Sequence, residues 1–71
     1  MTRVILRDLR TARICFKGAR PWFGRHGIAW SDFVSHGVDA ERLTETGDAT
    51  ALRVVRIAEA REAREARDGR R

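Results

Sequence analysis

The sequence predicts an all-α protein: a compact small bundle of about five helices. Three short Gly-terminated helices should stand between an N-terminal amphipathic helix and a longer C-terminal helix. Three observations carry this expectation. The first is a frame of aromatic, two spacers, His, Gly and branched apolar residue, written twice ten residues apart. It reads Phe23-Gly24-Arg25-His26-Gly27-Ile28 and then Phe33-Val34-Ser35-His36-Gly37-Val38, and a weaker third copy keeps Leu43 and Gly47 at the same step. Glycine tolerates the left-handed backbone that closes a helix, so Gly27, Gly37 and Gly47 read as helix ends. Ile28 and Val38 should then fold back onto Phe23 and Phe33. The second observation is apolar spacing at helical period in the first and last segments, and the third is a set of N-cap residues, Ser31, Asp39 and Asp48, ahead of three segments.

In chain order, residues 4–16 form the expected first helix, because Ile5, Leu9, Ala12 and Phe16 recur at i, i+4, i+7 and i+11. An extended Val4-Ile5-Leu6, with Asp8 capping a shorter helix, is the alternative for its start. Gly18 should end this segment. Pro21 suits the first turn of the second helix, where a missing N–H costs nothing, and that helix should run to Gly27. Ser31 should cap the third, Asp32 to His36, and Asp39 the fourth, Ala40 to Thr46. Asp48 should cap the last helix, whose apolar stripe is Ala51, Val54, Val55 and Ala58, flanked by Leu52 and Ile57. From Glu59 the chain reads Glu-Ala-Arg three times, which places Glu59, Glu62 and Glu65 as like-charged i, i+3 neighbours. The domain is therefore expected to span 1–60, with 61–71 a solvated helical extension frayed at its end. A helix that docks on a partner is the sharper alternative for this tail.

A chain of 71 residues lies near the lower limit for a core without staples. All five aromatics fall between residues 16 and 33, which should be the centre of the core. The expected core is Ile5, Leu9, Phe16, Trp22, Phe23, Ile28, Trp30, Phe33, Val38, Leu43, Leu52 and Val55. The single cysteine, Cys15, forms no internal disulfide and should be a buried, inert thiol in a reducing compartment. No apolar run is long enough for a bilayer, so no membrane role is expected.

Net charge is +5, unevenly placed: +6 over residues 1–27, −3 over 28–60 and +2 over 61–71. A basic front half suits nucleic acid, an acidic protein patch or a solvated surface. Fourteen arginines against one lysine suit bidentate phosphate or carboxylate contacts, although a GC-rich genome produces the same bias. Arg3, Arg7, Arg10 and Arg13, with Arg20 and Arg25, are the candidate partner-binding residues.

His26 and His36 each precede a helix-ending glycine, where a histidine can meet terminal carbonyls and the negative end of the dipole. Two histidines without a third ligand do not predict a metal site, and no cofactor is expected. No nucleophile with a base, phosphate-cradling loop or carboxylate pair stands out, so catalytic residues are not assigned and an enzyme is not expected. A helix-turn-helix over the second and third helices is the competing pattern. Against it, Phe23 stands where a small residue is needed, and the would-be recognition helix carries Asp32 but no Arg, Lys, Asn or Gln.

The run Arg20-Pro21-Trp22-Phe23-Gly24-Arg25-His26-Gly27-Ile28-Ala29-Trp30-Ser31-Asp32-Phe33, closing on Gly37-Val38, resembles a pattern in small proteins of tailed bacteriophages and prophages of GC-rich proteobacteria. Leu9 to Cys15 and Thr46-Gly47-Asp48-Ala49 fit the same pattern, while Pro21 departs from it, standing where a small helix former is expected. That family is mostly of unassigned function, so the resemblance implies a setting and no active site. It implies a phage or prophage protein acting by protein–protein contact, in virion head–tail or tail morphogenesis. The implied partner is a phage structural or host protein, with self-association a further option, in the bacterial cytoplasm or the virion. Two alternatives stand beside it: a nucleic-acid-binding or regulatory module, and a phage-encoded inhibitor of a host protein.

Overall fold

The computed structural model describes residues 1–68, so the frayed end expected at 69–71 lies outside it. The order is β1 (Arg3–Val4), α1 (Leu6–Thr11), α2 (Phe16–Arg25), α3 (Trp30–His36), β2 (Val38–Asp39), α4 (Ala40–Thr44) and α5 (Ala49–Asp68). The chain is thus a small helical bundle. A two-residue antiparallel clasp joins its start to its middle, with Arg3 opposite Asp39 and Val4 opposite Val38.

The expected helix over 4–16 is two elements and a turn. Val4 is extended and fully buried, and Ile5 is the N-cap of α1. The carboxylate of Asp8 accepts the Ile5 N–H at 2.9 Å, so Asp8 acts from the third helical position rather than as the cap itself. At the other end, Ile14 N–H reaches the Leu9 carbonyl and Arg13 N–H the Arg10 carbonyl, both at 3.0 Å. That is a Schellman closure with Arg13 in the left-handed position, at φ 60°. The helical spacing of Leu9, Ala12 and Phe16 hid this break, because Phe16 belongs to the next helix.

Accordingly α2 starts at Phe16, five residues before Pro21, and Gly18 and Pro21 both lie inside it. Pro21 leaves the Lys17 carbonyl without its helical donor. With Gly18, Pro21 and Gly24 in ten residues, propensity opposes this helix, and burial of Ala19 and Phe23 supports it. Its end follows expectation: Ile28 N–H bonds the Phe23 carbonyl at 2.9 Å, Gly27 N–H bonds Gly24 at 3.1 Å, and Gly27 has φ 73°.

The second copy of the frame ends differently. Gly37 has φ 73° but ψ −172°, and sends Val38 into the clasp instead of back onto the helix. Ser31 is not a cap; Ala29 occupies that position without a side-chain bond, and Ser31 lies within α3. Asp39 and Asp48 do cap: Asp39 accepts from Glu41 N–H at 3.0 Å, and Asp48 accepts from Thr50 and Ala51 N–H at 2.8 and 3.1 Å.

Leu9, Phe23, Ile28, Phe33, Val38, Leu43 and Val55 are buried in the core, with Val4 and Val54 added to them. Phe16, Trp22 and Trp30 pack against it half-buried, and Ile5 and Leu52 are likewise only half-buried. The aromatic rings form one connected set around Phe23, which lies 4.6 Å from Phe33, 5.6 Å from Trp30 and 5.3 Å from Trp22 between centroids.

Helix α5 runs unbroken across residue 60 into the expected helical extension. Arg61 is 8 % exposed and its guanidinium spans several partners. It donates to Asp8 Oδ1 at 2.9 Å, to Glu65 at 2.8 Å and to the Arg3 carbonyl at 2.8 Å. Asp8 is 1 % exposed, and every buried side-chain polar atom among the described residues has a partner. The bond to Asp8 raises the Arg61 pKa above its ordinary value against the opposing effect of burial. The tail's first turn is therefore part of the fold, contrary to a solvated extension beginning at 61.

Candidate binding surfaces

Helix α2 separates two surfaces, and its sequence shows why. Residues 15, 18, 19 and 22 fall on one flank, and 16, 17, 20 and 21 on the other. On the first flank, Cys15, Gly18, Ala19 and Trp22 face α1 and α5 across an apolar groove of about 310 Å³ floored by Leu9, Phe23 and Val54. Cys15 is exposed at its edge, not buried, because it is the N-cap of α2. The groove's one acid is Asp48, whose carboxylate is held ionised by the Ala51 N–H and, more weakly, the Thr50 N–H, which lowers its pKa. Beside it, Arg53 donates to the Ala12 carbonyl at 3.1 Å and so covers the C-terminal end of α1.

On the second flank, Phe16, Lys17, Arg20, Pro21 and Trp30 line a shallow hollow. The Arg10 guanidinium lies 5.7 Å from the Phe16 ring centroid and that of Arg20 lies 5.9 Å from Trp30. The two rings are 5.9 Å apart, so the four side chains form a continuous row.

The candidate arginines therefore divide. Arg10 and Arg20 come together through the rings, with Lys17 between them in the chain; sequence spacing alone does not bring 10 and 20 together. Arg3 is committed to the fold: its Nε bonds the His36 carbonyl and its main chain bonds Arg61 and Glu62. Arg7 turns toward α5, 3.8 Å from Glu65 in an exposed pair. Arg13 is exposed at the left-handed turn, and Arg25 is exposed in the last turn of α2. Arg42, not expected to matter, donates to the His26 carbonyl at the end of α2.

His26 is the C-cap residue of α2, with its ring centroid 4.3 Å from that of Trp22, and His36 is the last residue of α3. Both are exposed. No family model matches the chain, and no curated protein or solved structure matches it at a significant level. Among the described residues, no helix is long and apolar enough to cross a membrane.

Proposed function

We propose that this chain is a non-catalytic assembly protein of the tailed-phage type, acting by protein–protein contact in virion morphogenesis. The resemblance of residues 20–38 to small phage proteins supplies the setting. The observation that carries the contact is the apolar groove between α1, α2 and α5. A chain this small leaves about 310 Å³ of apolar-walled space open beside its core, where Trp22 and Ile14 stay half-buried. Such a groove suits one large apolar side chain of a partner helix or extended segment. The partner segment should be acidic, because Arg13 and Arg53 neighbour the groove residues Ile14 and Val54 in the chain, and the groove's only acid is occupied in capping α5.

Gly18 allows a direct test. A Cβ there meets no atom within 4 Å, and the residue lines the groove. Gly18→Gln should keep or raise the melting temperature, since glycine is the poorer helix former, while obstructing the groove. Binding to purified head, connector and tail proteins encoded with this chain would be followed by calorimetry. One of them should bind the parent protein, and Gly18→Gln or maleimide-blocked Cys15 should bind at least about tenfold more weakly. Binding to none of them, or binding indifferent to both changes, overturns the reading. Tight binding to a host enzyme instead would favour the inhibitor alternative.

A further inference from the structure

The opposite flank of α2 has a different chemistry. Between Asp8 and Asp32 the chain holds no acid at all, yet it holds Arg10, Arg13, Lys17, Arg20 and Arg25. Among the described residues none of these five makes a salt bridge, whereas Arg7 and Arg61 do. Arg10 and Arg20 are instead laid against Phe16 and Trp30, and Lys17 lines the hollow between them with Pro21.

We propose that this row is a binding surface for single-stranded nucleic acid, separate from the groove on the other flank. A guanidinium lying over an aromatic ring keeps its in-plane N–H edges open, and those edges match a phosphate's oxygens two at a time. Holding the side chain against the ring also reduces the rotamer entropy lost on binding. Phosphate contacts from Arg10, Lys17 and Arg20 thus flank a hollow whose walls are two half-exposed rings and a proline. Aromatic and apolar walls accept an unpaired base, and stacking is tolerant of sequence. A duplex keeps its bases stacked inside, and α3 offers no Arg, Lys, Asn or Gln to read base edges in a groove. The chemistry therefore favours a single strand bound without sequence preference. An acidic protein would engage the cations but leave the rings unused.

The test uses the intact protein and fluorescein-labelled dT12, rU12, a 12-base-pair duplex and polyglutamate, followed by anisotropy. Both single strands should bind more tightly than the duplex and polyglutamate. Three neutralised phosphates, at about 0.7 each, give a log–log salt slope of about −2, or roughly sixteenfold weakening from 50 to 200 mM salt. In a Trp22→Phe background, Trp30 is the sole tryptophan, and dT12 should quench it. Lys17→Glu/Arg20→Glu should weaken dT12 at least about tenfold, while Arg64→Glu/Arg67→Glu, the same charge change on distal α5, should not. Circular dichroism confirms that each variant is folded. Should the charge-reversed α2 variant unfold, Arg10→Gln/Arg20→Gln, which leaves the helix propensity intact, takes its place with the same expected loss. Absence of dT12 binding at 50 mM salt, equal losses in the α2 and α5 variants, or tighter binding to duplex or polyglutamate would each overturn the proposal.

Discussion

Gly27 and Gly37 occupy the same place in a repeated frame, yet replacing each with alanine should have unequal consequences. At Gly27 the backbone has φ 73° and a Cβ would meet no atom within 4 Å. The cost there is the left-handed backbone alone, about 1 kcal/mol after allowing for the freedom alanine removes from the unfolded chain. At Gly37 the combination of φ 73° with ψ −172° lies in a region that only glycine occupies readily, which costs about 1–3 kcal/mol. A Cβ would also stand 2.6 Å from the Val4 carbonyl oxygen, 3.1 Å from Arg3 Cγ and 3.2 Å from Ile5 Cγ2. The nearest of these is backbone, and it belongs to the strand paired through Val4 and Val38, so relief requires β1 to move off β2. Overpacking of this kind adds about 1–3 kcal/mol. The expected loss at Gly37 is therefore about 2–6 kcal/mol, against a total of about 4–11 kcal/mol for a chain of 71 residues. Urea titration followed by far-ultraviolet circular dichroism measures both variants, and each kcal/mol also moves the melting temperature by about 4–8 °C. Losses equal within about 0.5 kcal/mol would refute the packing argument at Gly37.

Arg13→Gly should stabilise the protein by up to about 1 kcal/mol, because glycine relieves the left-handed strain that arginine bears; a drop in melting temperature would contradict the assigned turn. Arg61→Ala should cost about 3 kcal/mol in urea titration by leaving the buried Asp8 carboxylate without its cation, whereas Arg64→Ala should be near neutral. Asp39→Ala should cost about 1 kcal/mol and Ser31→Ala almost nothing, since only the first accepts a backbone N–H at a helix start. Asp48 should titrate below the ordinary aspartate value by NMR, because the Ala51 N–H stabilises its ionised form. Its folded pKa is the lower one, so its contribution is present above the unfolded value and lost as pH falls through the folded one. Removing the acceptor with Asp48→Ala should abolish that part of the acid sensitivity.

What was legible in the sequence was local chemistry. Gly27 and Gly47 end helices, and Asp39 and Asp48 start them, because each acts on backbone groups within a few residues. The break after α1 escaped because its left-handed residue is Arg13, a type that carries no turn signal, and because helical spacing runs on through Phe16. Ser31 misled because an N-cap preference is a preference of position, and the helix had already begun at Trp30. The clasp and the Asp8–Arg61 bond were out of reach, since their partners are 34 to 53 residues apart and no local pattern specifies them. Of the candidate surface, the arginines were visible as charge, but the row joining Arg10 to Arg20 depends on α3 delivering Trp30 between them.

The bonds from Arg3 N–H to Glu62 and from Arg61 to Asp8 also say something about the order of folding. They tie positions 59 and 53 residues apart, so the Arg3 N–H and Asp8 Oδ1 gain these partners only when the last helix arrives, whereas Asp8 Oδ2 has the Ile5 N–H from its own turn. Closing so long a loop carries an entropic cost that neighbouring helix contacts do not, and such contacts form late. The Arg3 main chain and Asp8 Oδ1 therefore wait for residues 61 and 62 to dock. The short helices between can assemble around Phe23 before that, while the strand and the buried carboxylate remain open to solvent. Docking of α5 then brings the Arg61 guanidinium to both the Arg3 carbonyl and the Asp8 carboxylate.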